Sequence, residues 1–379
     1  MTSTIKNQNN HPISADEFSS LMSSFAIDAN APLLNVAVGV SGGADSMALM
    51  LLVDAWAKSR GGSALGITID HCLRDNSSLE ALQVASWLKQ RAINHKIVKW
   101  ENGCANSGGV QARAREARYQ LMADVCGQNR IKHLLVAHNM EDQAETFIMR
   151  LRHKSGLDGL GAMAKERKLD GNGSVTVVRP LLGIAKHRLK DTLELMGQPW
   201  VEDPSNRNHK FERVRIRELL AQLQTYEGIT PLHFARAADG VRALRNVFDI
   251  ATDKFISTHV RPSERQKVSG LKVNLGALLS LDRQIMARVL SRVIGVVGKG
   301  GYPPSGEKIT RILDWLAGET SASGRTLGGC KISKNGDFLL IKPELGRQKA
   351  PKPMVNSVTY QRLSQKSEEK LNVSLVAGH

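Results

Sequence analysis

Six short runs of the chain carry residues that can do chemistry. The first is VAVGVSGGADS, Val36 to Ser46. Its small and β-branched residues read as a buried strand. Ser41, Gly42 and Gly43 then break it, and MALMLLVDAW continues as a helix. Glycines let backbone N–H groups approach phosphate oxygens, and a helix N-terminus adds partial positive charge, so the run reads as an anion cradle. Ser41 and Ser46 can add hydroxyl donors. A tight turn with a serine cap is the plainer reading of SGG alone. The preceding strand, the immediate Asp45-Ser46 and the apolar helix favour phosphate. The run is neither G-x-x-x-x-G-K-[ST] nor G-x-G-x-x-G, which disfavours a nicotinamide cofactor.

The other runs surround it. Asp70-His71 ends an apolar stretch, either as a helix cap with a structural histidine or as a contact to a nucleoside or a divalent cation. Asp142 and Glu145 lie three apart, on one face of a helix, where paired carboxylates can hold an ammonium group or Mg2+; a solvated acidic face is the bland alternative. His138 shares that face only if the helix starts early. Arg213, Arg215 and Arg217 form a run of alternate arginines able to clamp a carboxylate or phosphate. Arg113, Arg115 and Arg118 are either a solvated basic face or contacts to a nucleotide or RNA. Glu202, Asp203 and Asn206 fit a turn around Pro204 as well as they fit a site.

The elements that must position these groups alternate. Strands are expected at Val36–Val40, Ala64–Asp70, Lys96–Trp100 and His133–Ala137. Helices are expected at Met47–Lys58, Leu79–Arg91, Gln111–Cys126 and Glu141–Arg152. This pattern predicts an α/β fold, a doubly wound, Rossmann-like parallel sheet with ligands outside the strand C-terminal ends. The Ser41 loop, Asp70-His71 and the segment His138–Asp142 all fall at such ends. Ser14 and Glu17 form a capping box for a short helix to Phe25. Residues 153–174 read as a mobile loop, and Val175–Arg179 as one more strand. Helices follow at Lys186–Met196 and Phe211–Leu223. After Tyr226 the chain turns helical and basic, over 231–258, 280–297 and 306–317. Gly328–Ile341 forms a hairpin around Asn335-Gly336. The expected organisation is a tail and short helix over 1–30, an α/β domain over 31–226, and a basic region over 227–379 that ends in a loose tail.

Composition narrows the partners. The 379 residues carry a formal net charge of +16, which favours a polyanion. Aromatics make up 4%, so phosphate contacts are expected to outweigh base stacking. The four cysteines include no C-x-x-C pair, which argues against a disulfide framework or a tetrahedral metal site and for a reduced, cytoplasmic protein. No signal-peptide core and no membrane-length apolar run are present, and no protein partner is implied.

The loop resembles the PP-loop of ATP pyrophosphatases, which split ATP between its α and β phosphates. With TIDHCLR, AREARYQ, AHNMEDQAET, KSGLDGLGAM, RPLL, WVEDPSN and RVRIR in order, the chain resembles the bacterial tRNA(Ile)-lysidine synthase family from about residue 33 to 220. The resemblance implies ATP-dependent attachment of lysine to the wobble cytidine of tRNA(Ile) with a CAU anticodon. The implied route is through an adenylated tRNA, with release of AMP and pyrophosphate. It implies ATP held by Ser41, Gly42, Gly43, Ala44, Asp45, Ser46, Asp70 and His71. Mg2+ would sit at Asp45, and L-lysine at Asp142, Glu145 and Arg213. Asp45, Asp142 and Arg115 are the implied catalytic residues, with a lid around Gly159, Leu160 and Met163. The chain departs from the family at Asn139, where a second histidine is common, at Glu141, where aspartate is common, and at Val214, where asparagine is usual. A base role at position 139 is therefore not expected, and Glu141 is assigned no role. The competing readings are another PP-loop tRNA-modifying enzyme, such as a thiolase, and a non-enzymatic RNA-binding protein. The absence of paired cysteines disfavours the first, and the loop with its carboxylate pair disfavours the second.

Overall fold

The computed structural model describes residues 11–27, 34–70, 77–100, 110–169, 175–202, 209–263, 270–298, 304, 306–318 and 324–344, with only the backbone of 110–115. Two compact units divide after Arg242.

The first unit opens with α1 (Ala15–Ser23) and then alternates. Its elements are β1 (Asn35–Gly39), α2 (Ala44–Lys58), β2 (Ser63–Asp70), α3 (Ser77–Gln90), β3 (Asn94–Lys99), α4 (Val110–Gln128), β4 (His133–Leu135), α5 (Met140–Arg152), α6 (Leu157–Leu160), β5 (Glu166–Lys168), β6 (Thr176–Val178), α7 (Lys186–Leu195) and α8 (Glu212–Glu227). The strands form one sheet in the order β3-β2-β1-β4-β6-β5. All pairs are parallel except β5 with β6. Side-chain alternation splits the core between the two faces. Val36, Val38 and Val40 pack with α2 and α7 residues on one face, while Ala37 joins Tyr119, Met122 and Cys126 of α4 on the other. Burying both faces is what makes these short strands read as continuous apolar runs. Tyr119 is thus a packing residue, with Arg167 over its ring.

Between β1 and β4 the strand order reverses direction, the position where open α/β sheets bind ligands. The Ser41 loop leaves β1 there, and Asn139 starts α5 just after β4.

Segment 153–174 is more structured than a loop. It contains α6 and the antiparallel strand β5. Arg150 donates to the Gly159 and Ala162 carbonyls at 2.5 and 2.7 Å. Gln143 and the Met163 backbone exchange hydrogen bonds at 3.0 and 2.8 Å. Polar side chains reaching from α5 hold this Gly-rich stretch without an apolar period of its own.

The capping box at α1 is half present. Ser14 accepts the Glu17 N–H, but the Glu17 carboxylate turns to Arg188 of α7 in a two-pronged pair at 2.8 and 2.6 Å. Arg188 also donates to the His11 carbonyl, and Ile13 N–H donates to Thr192 Oγ1.

Helix α9 (Pro231–His259) contains the division between the units. The second unit continues with β7 (Val260–Pro262), β8 (Leu271–Asn274), α10 (Leu275–Leu279), α11 (Arg283–Val297), α12 (Gly306–Ala317), β9 (Arg325–Leu327), β10 (Cys330–Asn335) and β11 (Phe338–Pro343). The expected hairpin is the centre of a five-stranded antiparallel sheet, β7-β8-β11-β10-β9. Its inner face (Val273, Cys330, Ile332, Leu339, Ile341) packs on α11 and α12. Among the described residues no helix is long and apolar enough to cross a membrane.

Candidate active site

Two helix starts flank the reversal point, and their chemistry is opposite. At α2 the N-cap is Gly43, which offers no side-chain cap. Gly42 has φ +86°, and a Cβ there would come within 2.8 Å of Val84, so only glycine fits. Ser41 N–H donates to Ser46 Oγ at 3.1 Å, and Ser46 Oγ donates to the Gly43 carbonyl at 2.9 Å. Ser41 Oγ lies 3.2 Å from the same hydroxyl. The loop is thus internally braced, while the first N–H groups of α2 receive no side-chain acceptor. That is the arrangement an anion needs.

Asp45, one residue into α2, faces Lys186 Nζ of α7 at 3.4 Å. Its Oδ1 is buried with no hydrogen-bond partner. Burial pushes its carboxyl above the usual range, Lys186 opposes that shift, and the charge of Asp142 adds to it. The field of Asp142 reaching Asp45 ties the two helix starts into one electrostatic cluster.

At α5 the N-cap is Asn139, buried at 1% exposure. It exchanges a reciprocal box with Asp142: Asp142 N–H donates to Asn139 Oδ1 at 3.0 Å, and Asn139 N–H donates to Asp142 Oδ2 at 3.2 Å. Asn139 is therefore a helix cap. One turn on, Glu145 is 1% exposed. Arg217 Nε donates to its Oε1 at 2.5 Å, and Arg213 Nε stands 3.8 Å from Oε2. Burial raises the Glu145 carboxyl, opposed by the Arg217 hydrogen bond and reinforced by Asp142. Arg217 is held charged by Glu145, with Asp142 and Asp45 adding to the effect. Arg213 and Arg217 share one face of α8. Arg215 points elsewhere and donates to the His209 and Lys210 carbonyls at 2.8 and 3.1 Å, so the clamp is a pair rather than a row of three.

Glu141 has a contact that the sequence did not reveal. Its Oε2 accepts the Lys186 N–H at 2.9 Å, capping α7, whose own N-cap residue is Ala185. Burial raises this carboxyl, while the backbone N–H groups lower it. Lys186 was also missed. Nothing in AKHRLK sets it apart, and only the packing of α7 on α2 brings it to Asp45. Asp70 is 3% exposed, and its two carboxylate oxygens accept from Ser77 and Ser78 at 2.7 and 2.6 Å, at the start of α3. His71, Arg74, Asp203 and Asn206 lie outside the described residues, as do the side chains of Arg113 and Arg115. The structure thus brings together Ser41–Ser46, Asp45, Asp142, Glu145, Arg213, Arg217, Glu141 and Lys186.

A family model described as a PP-loop domain matches residues 14–224. The tRNA(Ile)-lysidine synthase of a Bradyrhizobium species is 35% identical over 364 residues, 92% of this chain and 99% of that protein. The tRNA(Ile)-lysidine synthase of a Wolbachia from Brugia malayi is 33% identical over 332 residues, 86% of this chain and 73% of that protein. The chain belongs to the tRNA(Ile)-lysidine synthase family. Among solved structures, the U34-tRNA thiolase NcsA from Methanococcus maripaludis shares the fold. Its TM-score is 0.51 at 17% identity, over 61% of this chain and 78% of that one. In this family member Asn139 caps α5 and the Glu141 carboxylate caps α7.

Proposed function

We propose that this chain uses ATP to join lysine to C2 of the wobble cytidine of tRNA(Ile) with a CAU anticodon. The observation that carries the reading is the juxtaposition, across one strand reversal, of a bare helix start with an acid pair, the half-buried Asp142 and the buried Glu145. The bare start suits a triphosphate and the acids suit an amino group. Ser41–Ser46 would hold the phosphates. Asp142 and Glu145 would hold the α-ammonium of lysine, and Arg213 its carboxylate. In this structure Arg217 and Arg213 keep Glu145 compensated, so arrival of the ammonium would exchange one cation partner for another. Asp70 and His71 are assigned to the adenosine side, and Arg115 to the transferring phosphate.

The cytosine must leave its stack to reach the nucleotide. Its O2 attacks the α-phosphate and expels pyrophosphate; the loop N–H groups, Lys186 and Arg115 offset the developing charge. The side-chain amine of lysine then attacks C2, and AMP departs with O2. That amine has a reference pKa of ~10.4, so presenting it neutral at pH 7 costs about 4–5 kcal/mol. Placing the acids on the α-ammonium keeps their field off the reacting nitrogen. The orphaned, buried Asp45 Oδ1 fits a Mg2+ ion, which Asp45 would hold and which would supply further positive charge to offset that of the leaving pyrophosphate.

The second unit suits an RNA backbone. On its sheet Lys331 stands opposite Lys342, and Arg261 opposite Lys272. Like charges in register cost stability that phosphates would relieve.

Incubating the protein with a tRNA(Ile) transcript, ATP and lysine should add the mass of lysine less water, and only when C34 is present. Pyrophosphate exchange supported by RNA without lysine is expected. Exchange supported by lysine without RNA would overturn the proposed order.

A further inference from the structure

Next to the Ser41 loop runs a short, partly buried hydrogen-bonded chain that the reaction scheme does not use. Thr68, near the end of β2, is 5% exposed. Its hydroxyl donates to the Val40 carbonyl at 2.8 Å. The same hydroxyl oxygen lies 2.8 Å from His95 Nε2 of β3. A hydroxyl has one proton. Since Thr68 spends it on Val40, His95 must donate through Nε2–H. Burial lowers the imidazole to about 4, so the ring is neutral at physiological pH and carries one N–H. Gly66 makes room for it: a Cβ there would stand 3.1 Å from the His95 ring and 3.1 Å from Leu88.

The geometry matters because of what shares the peptide plane. All described peptide bonds are trans, so the Val40 C=O and the Ser41 N–H point in opposite directions. Fixing the carbonyl toward Thr68 aims the Ser41 N–H at Ser46 Oγ, into the loop. We propose that His95 and Thr68 are positioning residues that set the Val40–Ser41 peptide so that its N–H faces the anion cradle. The inference rests on the reading that this loop holds ATP.

Two observations on the full chain test it. Without nucleotide, hydrogen exchange at the Ser41 amide should accelerate at least tenfold in Thr68→Val and in His95→Leu. It should stay near wild type in Thr68→Ser, and in His95→Gln, whose amide N–H reaches the Nε2 position. With Mg-ATP as the probe, calorimetry should show about tenfold weaker binding in the first pair and recovery in the second. Thr252→Val supplies the stability-only comparison, because that buried hydroxyl donates inside α9 to Phe248. Unchanged Ser41 exchange in folded Thr68→Val, or equal weakening of ATP binding in Thr68→Val and Thr252→Val, overturns the proposal. If the wild-type protein binds no Mg-ATP, the functional reading of the loop fails, and the exchange data still judge the peptide.

Discussion

The starts of α2 and α5 stand on adjacent strands of one sheet and solve the same problem in opposite ways. Every helix begins with N–H groups that lack partners. At α5 the chain closes them with its own side chains, the Asn139/Asp142 box, and can then set a buried carboxylate, Glu145, one turn further on. At α2 it puts glycine at the cap and leaves the donors open. The closed start suits a cation and the open one an anion. A site that joins a nucleotide to an amine needs both within reach of one another.

The comparison can be broken, and the largest break is at the open start. Asp45→Ala should lower turnover about a thousandfold, the scale of losing the preorganised positive charge that this carboxylate would hold as Mg2+ near the phosphates, with RNA affinity measured by filter binding unchanged. Filling the cap is subtler. Gly43 has φ −72°, and a Cβ there meets nothing closer than 3.8 Å, so Gly43→Asp should fold. Its carboxylate should satisfy the open donors, add only about 0.3 kcal/mol to stability and raise the KM for ATP roughly a hundredfold. Unchanged ATP kinetics in that variant would place the phosphates elsewhere.

At the closed start the expected effects are smaller. Glu145→Gln should raise the KM for lysine roughly ten- to a hundredfold, the worth of a charge-assisted hydrogen bond, while the KM for ATP stays within about twofold. Titration gives a related sign. Because burial raises the Glu145 carboxyl, it takes up a proton before the ordinary carboxylate range is reached on acidification. A neutral acid holds an ammonium less well, so the KM for lysine should rise as the pH falls, and the rise should flatten in Glu145→Gln. Asn139→Ala should cost only about 1 kcal/mol by thermal melting, with kcat reduced a few-fold, as befits a cap.

What the sequence disclosed follows from how far each signal reaches along the chain. The βα alternation and the loop after β1 are local, since period and glycine placement lie within a dozen residues. The Asp142/Glu145 face is likewise a matter of helical spacing. Contacts made by distant elements were not legible. Lys186 reaches Asp45 only through the packing of α7. The carboxylate of Glu17 left its own helix for Arg188. Glu141 caps a helix that begins at Lys186. The second unit's sheet escaped because β7, β8 and β9 span three or four residues each, too short for alternation to register.

One clasp far from the chemistry sets a practical limit. Arg188 is 7% exposed at its side chain and answers to Glu17 and His11. Trimming the protein back to the start of β1, a natural choice for a minimal fragment, would strand that guanidinium in the interior. The helix under stress would be the one whose first residue faces Asp45. Such a fragment should be catalytically crippled by an excision that removes no residue of the active site.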